Sequence, residues 1–343
     1  MKKLLLSLAF ITTATGLQAQ HKLFDSVFTL IQTKSVYANT VNWDSIKPVV
    51  YKQIDDTKAD SIEAFIPAVN KLLQSLGDMH SSIAYKGQYS GNPDAYAYVR
   101  KKIDSVTLKA AYKGLGSLHT VLLKGNYGYI NIPVAGVEPT EDMNAAIQQI
   151  NGIAQSIADS LSTLLKQPLK GLIVDLRLNG GGSSPALVGG LAALLPAGTC
   201  FAFSNYNASK DAMVLKNGSL FYDTLQMTRL TNVPTVPKKL PVAVLINGYT
   251  TSAGEHVAIA LKTVPRYKFF GTPTRGQITG NESIFLRKDL VLSLSTAWAE
   301  DGLGRKYPVD VQPDVFITKG FNFEDKTKDS CILAAIEWFK TSK

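Results

Sequence analysis

Along the first quarter of the chain apolar residues recur every three or four positions, at Leu23, Val27, Leu30 and Ile31 and again at Ile62, Phe65, Ile66, Val69 and Leu72. That period matches one face of an α-helix, so residues 20–84 are expected to form a small helical domain. Between residues 85 and 125 the period weakens, with Gly, Ser, Asn and Pro interrupting short alternating pieces such as Ser105 to Leu108, which predicts a connecting region. Tyr127 to Ile132 then reads as a strand. Met143, Ile147, Ile150, Ala154, Ile157, Leu161 and Leu164 mark one face of a long helix that Pro168 stops.

Beyond it, short buried strands alternate with helices. Leu172-Ile173-Val174 precedes a glycine-rich turn and a helix from Pro185 to Leu195, and Val242 to Ile246 precedes a second turn and a helix around Ala253 to Leu261. Strands near Lys268 to Phe270 and Leu290 to Ser295 follow, then a last helix from about Ser330 to Phe339. This alternation predicts an α/β fold, with helices packed on a sheet, over residues 126–343.

At 343 residues, 45% hydrophobic and 18% charged, the composition is that of a globular protein and excludes disordered, collagen-like and coiled-coil classes. Lys2 and Lys3, the apolar run Leu4 to Leu17 and the small residue Ala19 have the order of a cleavable secretory signal over residues 1–19, too short for a spanning helix. No cysteine follows the expected cleavage point and no second apolar stretch reaches membrane length. The expectation is an exported protein, periplasmic or extracellular, with no membrane span once the signal is removed. Residues 1–19 carry two of the 36 lysines and arginines and none of the 27 acids, so the remainder has a formal charge of +7. No basic run is interleaved with aromatics, which argues against nucleic acid as a partner. Cys200 and Cys331 are too few for a metal framework and leave one disulfide open, while His21, His80, His119 and His256 are scattered, so no metal is expected. The chain has no GxxxxGK[ST] loop, and no cofactor is expected.

Three segments carry residues suited to chemistry. Asp175-Leu176-Arg177-Leu178-Asn179-Gly180-Gly181-Gly182 joins a buried strand to a helix, where glycine N–H groups and a helix N-terminus can hold an anion, or where Asp175 and Arg177 simply pair. Asn247 to Glu255 joins the next strand to a helix. Ser252 and Glu255 there have capping-box spacing, and the same geometry exposes a hydroxyl beside the N–H of Ala253. Leu76-Gly77-Asp78-Met79-His80 ends a helical pattern with a histidine.

Together these segments resemble the S41 serine peptidases, the C-terminal processing or tail-specific peptidases and their tricorn-type relatives. The Asp-Leu-Arg-x-Asn-x-Gly-Gly pattern is matched by Asp175 to Gly181, Ser-Ala-x-Glu by Ser252 to Glu255, and Gly-x-x-Thr-x-Gly by Gly271 to Gly276. Pro-Asp-Val matches Pro313 to Val315, and Leu-x-Asp-x-His matches Leu76 to His80. The resemblance implies a crotonase/ClpP-like peptidase core behind a small N-terminal helical domain. It implies a peptide or protein substrate and an acyl-enzyme on Ser252, with an oxyanion hole from Ala253 and either Gly181 or Gly182. The processing peptidases place a lysine base directly after Gly-x-x-Thr-x-Gly, where this chain has Gln277. The tricorn-type branch uses an N-terminal histidine, which His80 matches. That branch orients its histidine with a glutamate six residues before the Pro-Asp proline, where this chain has Tyr307, leaving Asp310, Glu300 and Asp301 as substitutes. Residues 85–125 are too few for the PDZ domain that many relatives carry. The rival implied by the same family fold is a binding or carrier module for a hydrophobic ligand or peptide, built on a degenerate site.

Overall fold

The computed structural model describes residues 21–58, 61–138, 140 and 142–342, so the expected signal segment lies outside the described residues. Two compact units emerge. One runs to Tyr98 and takes in Asn205–Ser209 and Thr279–Ala297, and the other comprises Val99–Ser204, Lys210–Ile278 and the chain from Trp298 onward.

In the first unit, a helix over residues 21–34 buries Phe24, Val27, Phe28 and Ile31, the i, i+3, i+4, i+7 stripe that faces a core. The helix Trp43–Tyr51 starts where the Asn42 side chain accepts the Ser45 N–H at 3.1 Å. The helix Ile66–Leu76 buries Ala68, Val69, Leu72, Leu73 and Leu76 and ends at Gly77, whose φ of 68° is the left-handed C-cap conformation. These helices pack on Ile83, Leu290, Leu292 and Leu294, which alternate along strands and so share a face of the sheet. Strand Ser82–Tyr85 pairs antiparallel with Gln88–Gly91 and with the strand beginning at Leu290, which also pairs with Gly280–Arg287.

In the second unit a six-stranded sheet runs in the order Val315–Phe316, Tyr267–Gly271, Val242–Ile246, Gly171–Asp175, Tyr127–Asn131, His119–Leu123. All neighbours are parallel except the last pair. The central strands are buried along their length, as parallel strands covered on both faces must be. Ile173, Ala243, Leu245 and Phe270 meet Cys331, Ile332, Ala335 and Phe339 of the helix Ser330–Thr341. The helices Met143–Leu165, Ser184–Gly190 and Ala253–Lys262 pack in sequence on one another. A meander of short antiparallel strands, Lys210–Lys216, Ser219–Tyr222 and Leu225–Gln226, was not legible in the sequence pattern.

The structure corrects the reading of residues 105–108 as an alternating piece. Ser105–Tyr112 is a helix, because Asp104 accepts the N–H groups of Val106 and Thr107 at 2.9 Å each and supplies the cap that the pattern alone did not weigh. Cys200 and Cys331 are both buried and unpaired, and burial pushes each thiol up to about 12, which leaves them inert.

Arg177 is buried and spans two carboxylates. Its Nη2 donates to Asp175 at 2.6 Å and its Nη1 to Asp329 at 2.8 Å, while Asp329 also caps the helix Ser330–Thr341. Tyr129 adds a hydrogen bond to Asp175 at 2.9 Å. Burial pulls the Asp175 carboxyl upward, but Arg177 and the hydrogen bonds outweigh it and the net shift is down. Replacing Arg177 by Leu leaves two buried carboxylates without a cation. We expect a loss of about 3–5 kcal/mol of stability, read as a lower midpoint in urea unfolding with a largely unchanged slope.

Candidate active site

The strands Gly171–Asp175, Val242–Ile246 and Tyr267–Gly271 are adjacent and parallel, with Leu245 opposite Asp175 and Ile246 opposite Gly271. Their three C-terminal loops therefore emerge side by side, at the edge where open α/β sheets bind ligands. These loops carry the glycine turn, the Ser252 turn and the Gly271 to Gly276 segment.

Ser252 stands at the N-terminus of the helix Ala253–Lys262 with φ 52° and ψ −117°. A non-glycine residue in that region is strained by about 1–3 kcal/mol and persists only where its surroundings impose it. Several contacts do so. Glu255 Oε2 accepts the Ser252 N–H at 2.9 Å, Asn179 O accepts the Thr251 N–H at 3.1 Å, and Thr250 Oγ1 donates to Leu176 O at 2.9 Å. The Glu255 N–H goes to the Ser252 carbonyl oxygen at 2.8 Å, and the Ser252 and Glu255 side chains stand in the reciprocal arrangement of a capping box.

Gly181 lies against this turn. A Cβ there would come 3.1 Å from Ser252 Cβ and 3.6 Å from Ala253 N, at a φ of 108° that side chains avoid. The Gly181 N–H is already given to Asn179 Oδ1 at 2.9 Å. The N–H groups of Gly182 and Ala253 donate to no partner among the described residues, and Gly182 is exposed. Of the two glycines expected as oxyanion donors, Gly182 is thus the one whose N–H is available. Asn179, which carried no role in the sequence reading, is buried and holds the turn: its Nδ2 donates to Pro133 O at 2.6 Å. Its Oδ1 would lie 2.6 Å from a Cβ on Gly254, which accounts for the glycine between Ala253 and Glu255.

Glu255 is fully buried and accepts four hydrogen bonds, from Ser252 N, from Gln277 N at 2.9 Å, from Gly276 N at 2.7 Å and from Thr274 Oγ1 at 2.6 Å. Thr274 Oγ1 in turn accepts the Val311 N–H at 2.8 Å. The Gly-x-x-Thr-x-Gly pattern is a cradle for this carboxylate. Burial pushes Glu255 up to about 7, with the four hydrogen bonds pulling the other way. Next to it, His256 is buried between Phe201 and Phe203 with its Nε2 2.7 Å from Ile278 O and its Nδ1 2.7 Å from Ser184 Oγ. Nε2 must donate to the carbonyl, so Nδ1 accepts from Ser184. Burial lowers this imidazole to about 4 and keeps it neutral.

A family model of peptidase family S41 matches residues 126–317. The chain belongs to peptidase family S41. The nisin-resistance protein of Lactococcus lactis subsp. lactis is 26% identical over 308 residues, which are 89% of this chain and 82% of that protein. A carboxy-terminal-processing protease of Bartonella bacilliformis is 27% identical over 196 residues, 57% of this chain and 39% of that protein's length. The solved structure of a lipoprotein from Streptococcus agalactiae aligns with a TM-score of 0.67 at 22% identity, over 94% of this chain and 97% of that one, and shares its fold. The S41 peptidase chain thus has the α/β peptidase fold expected for it.

His80 belongs to the first unit, where its Nδ1 lies 2.7 Å from Thr279 Oγ1. The three acids proposed to orient it belong to the other unit and are held by other groups. Asp310 pairs with Lys102 at 2.7 Å, Glu300 with Lys210 and the Ser204 hydroxyl, and Asp301 with Arg305 and with the Tyr307 hydroxyl at 3.1 Å. Thr279 is thus a partner of His80 Nδ1 within the first unit. Asp175 and Arg177, named as supporting residues, hold the C-terminal helix. Gln277 supports the site through its backbone N–H on Glu255. Among the described residues no group of three or more His, Cys, Asp or Glu side chains has the makings of a metal site, and no helix is long and apolar enough to cross a membrane.

The Glu255 carboxyl is raised in the folded state, so between pH 4.5 and about 7 the unfolded chain loses the proton first. Its contribution to stability is therefore greatest below pH 4.5 and falls as pH rises through that window. Glu255→Gln should abolish this part of the pH dependence. It should also cost about 1–3 kcal/mol at any pH, because the amide NH2 faces two of the four donors whichever way it turns. Unfolding free energies of both proteins across pH 4–8 check this.

Proposed function

We propose that this S41 peptidase is an active, exported serine endopeptidase that cleaves peptide bonds through an acyl-enzyme on Ser252. The observation that carries the reading is the strained Ser252, with the N–H groups of Ala253 and Gly182, unpartnered among the described residues, in the adjoining backbone. A carrier has no use for that strain, whereas a nucleophile held out of the helix end by it has. Export, to the periplasm or the extracellular space, is supported by the signal-like residues 1–19 and by the similarity to a nisin-resistance protein and a lipoprotein.

In this mechanism Ser252 Oγ attacks the scissile carbonyl carbon while His80 takes its proton, the role the tricorn-type branch gives its N-terminal histidine. With Nδ1 held by Thr279, the base is Nε2. The carbonyl oxygen becomes an oxyanion at the N–H groups of Ala253 and Gly182, where fixed donors stabilise it without reorganising. The imidazolium returns the proton to the departing amine, the C–N bond breaks, and water then attacks the ester by the same route in reverse. Lysine takes no part, since Gln277 occupies its position.

Two measurements test the reading. Ser252→Ala should keep the fold, at a stability cost of about 1 kcal/mol, the size of one helix cap, and should abolish both peptide hydrolysis and labelling by a serine-reactive phosphonate. An unlabelled wild-type Ser252 would favour the carrier reading instead. His80→Ala should lower kcat by at least about a hundredfold with little change in melting temperature, and the acidic limb of kcat/KM against pH should vanish with it. Wild-type activity in that variant would remove His80 from the mechanism.

A further inference from the structure

An acid that the sequence reading did not weigh stands two residues before His80. Asp78 is buried, and its Oδ1 accepts the N–H groups of His80 and Ser81 at 2.9 Å each while its Oδ2 accepts the Ser81 hydroxyl. From His80 Nδ1 the next atom is Thr279 Oγ1 at 2.7 Å, then Ser295 Oγ at 3.0 Å, then Asp78 Oδ1 at 3.2 Å. Ser295 is itself fixed, its N–H donating to Ser81 Oγ at 2.8 Å. All of these residues belong to the first unit.

The chain of contacts has one consistent direction. Burial raises the Asp78 carboxyl while the hydrogen bonds from Ser81, His80 and Ser295 pull the other way; once ionised it only accepts, so Ser295 gives its single hydroxyl proton to Asp78, accepts that of Thr279, and leaves Thr279 to accept from Nδ1–H. Asn281 Oδ1 lies 3.2 Å from both hydroxyls and competes for their protons. It is neutral, and a hydrogen bond to a carboxylate is roughly twice as strong. The Nδ1–H tautomer that results is the one a base at Nε2 requires.

We propose that Asp78 is the orienting acid of this peptidase, acting on His80 through the hydroxyls of Thr279 and Ser295. Asp78, Thr279 and Ser295 are positioning residues: they fix the tautomer and supply a negative end that stabilises the imidazolium. The proposal rests on His80 as the base, and it explains why the position of the usual glutamate can be Tyr307 without emptying the role.

The test is the nitrogen NMR of His80 in the protein from residue 20 onward, with its signals assigned by their loss in His80→Ala, followed from pH 5 to 9 alongside kcat and KM. The variants are Asp78→Asn, Thr279→Val and Ser295→Ala. Asp78→Asn keeps an oxygen for the two loop N–H groups and removes the charge. Thr279→Val and Ser295→Ala keep the charge and cut the chain. In the wild type we expect the neutral ring to be the Nδ1–H form. In each variant we expect mixed tautomers, a protonation midpoint lower by about one unit, a kcat at least about tenfold lower at similar KM, and no additivity in the Asp78→Asn, Thr279→Val double variant. If Asp78→Asn does not fold, the two chain-cutting variants carry the test. Thr279→Val and Ser295→Ala with wild-type tautomer and midpoint would overturn the proposal, since a purely structural Asp78 moves neither. A fully active His80→Ala would overturn the base reading and with it the catalytic role of Asp78, and it is distinguishable from failure of the chain itself because the tautomer comparison is read from the ring and not from turnover.

Discussion

The serine turn depends on one buried carboxylate. Glu255 sits in the first turn of the helix Ala253–Lys262, out of contact with water, and an ionised group there is tolerated only if its lone pairs are filled. It fills them with the Ser252 N–H behind it and with two N–H groups and a hydroxyl from the Gly271 to Gly276 region. The same bonds hold Ser252 in its strained conformation and close the loop after the third strand over the loop after the second. The capping-box spacing read from the sequence is thus present, with Glu255 accepting the Ser252 N–H from its side of the turn.

The charged residues of the glycine turn work on the opposite problem. Asp175 and Arg177 end a fully buried strand and would be costly alone, so they are closed into a cluster with Asp329 and Tyr129 that ties the C-terminal helix to the strand bearing the turn. The site side of the turn is built from uncharged parts, the amide of Asn179 and the glycines, which orient backbone N–H groups without drawing an oxyanion's charge away.

In the first unit the histidine loop follows the same economy. Asp78 caps its own loop by taking two backbone N–H groups, and its remaining capacity reaches Ser295 and through it Thr279. Thr279 follows Gln277 by two positions, so the segment whose N–H groups steady Glu255 continues into the residue that steadies His80. The support of this loop is made of hydroxyls.

The sequence by itself determined the elements whose period is strong and the motifs whose chemistry is local. The helix Met143–Leu165 and the strands Gly171–Asp175 and Val242–Ile246 follow from their apolar patterns, and membership of the S41 family follows from residues that sit in short ordered segments. Local pattern did not reveal the helix Ser105–Tyr112 or the meander from Lys210 to Gln226, whose signals are single caps and half-buried short strands. Only the tertiary structure decided which glycine has an N–H to offer, because Gly181 and Gly182 are equivalent until the Asn179 side chain chooses one. It alone gave Thr279 as a partner of His80 and Ser295 as the partner of Thr279, since both lie about two hundred residues away and have no distinguishing pattern around them. Hydrogen bonds between residues so distant leave no period and no spacing in the chain; they exist only once the sheet has set the register that brings the hydroxyls together.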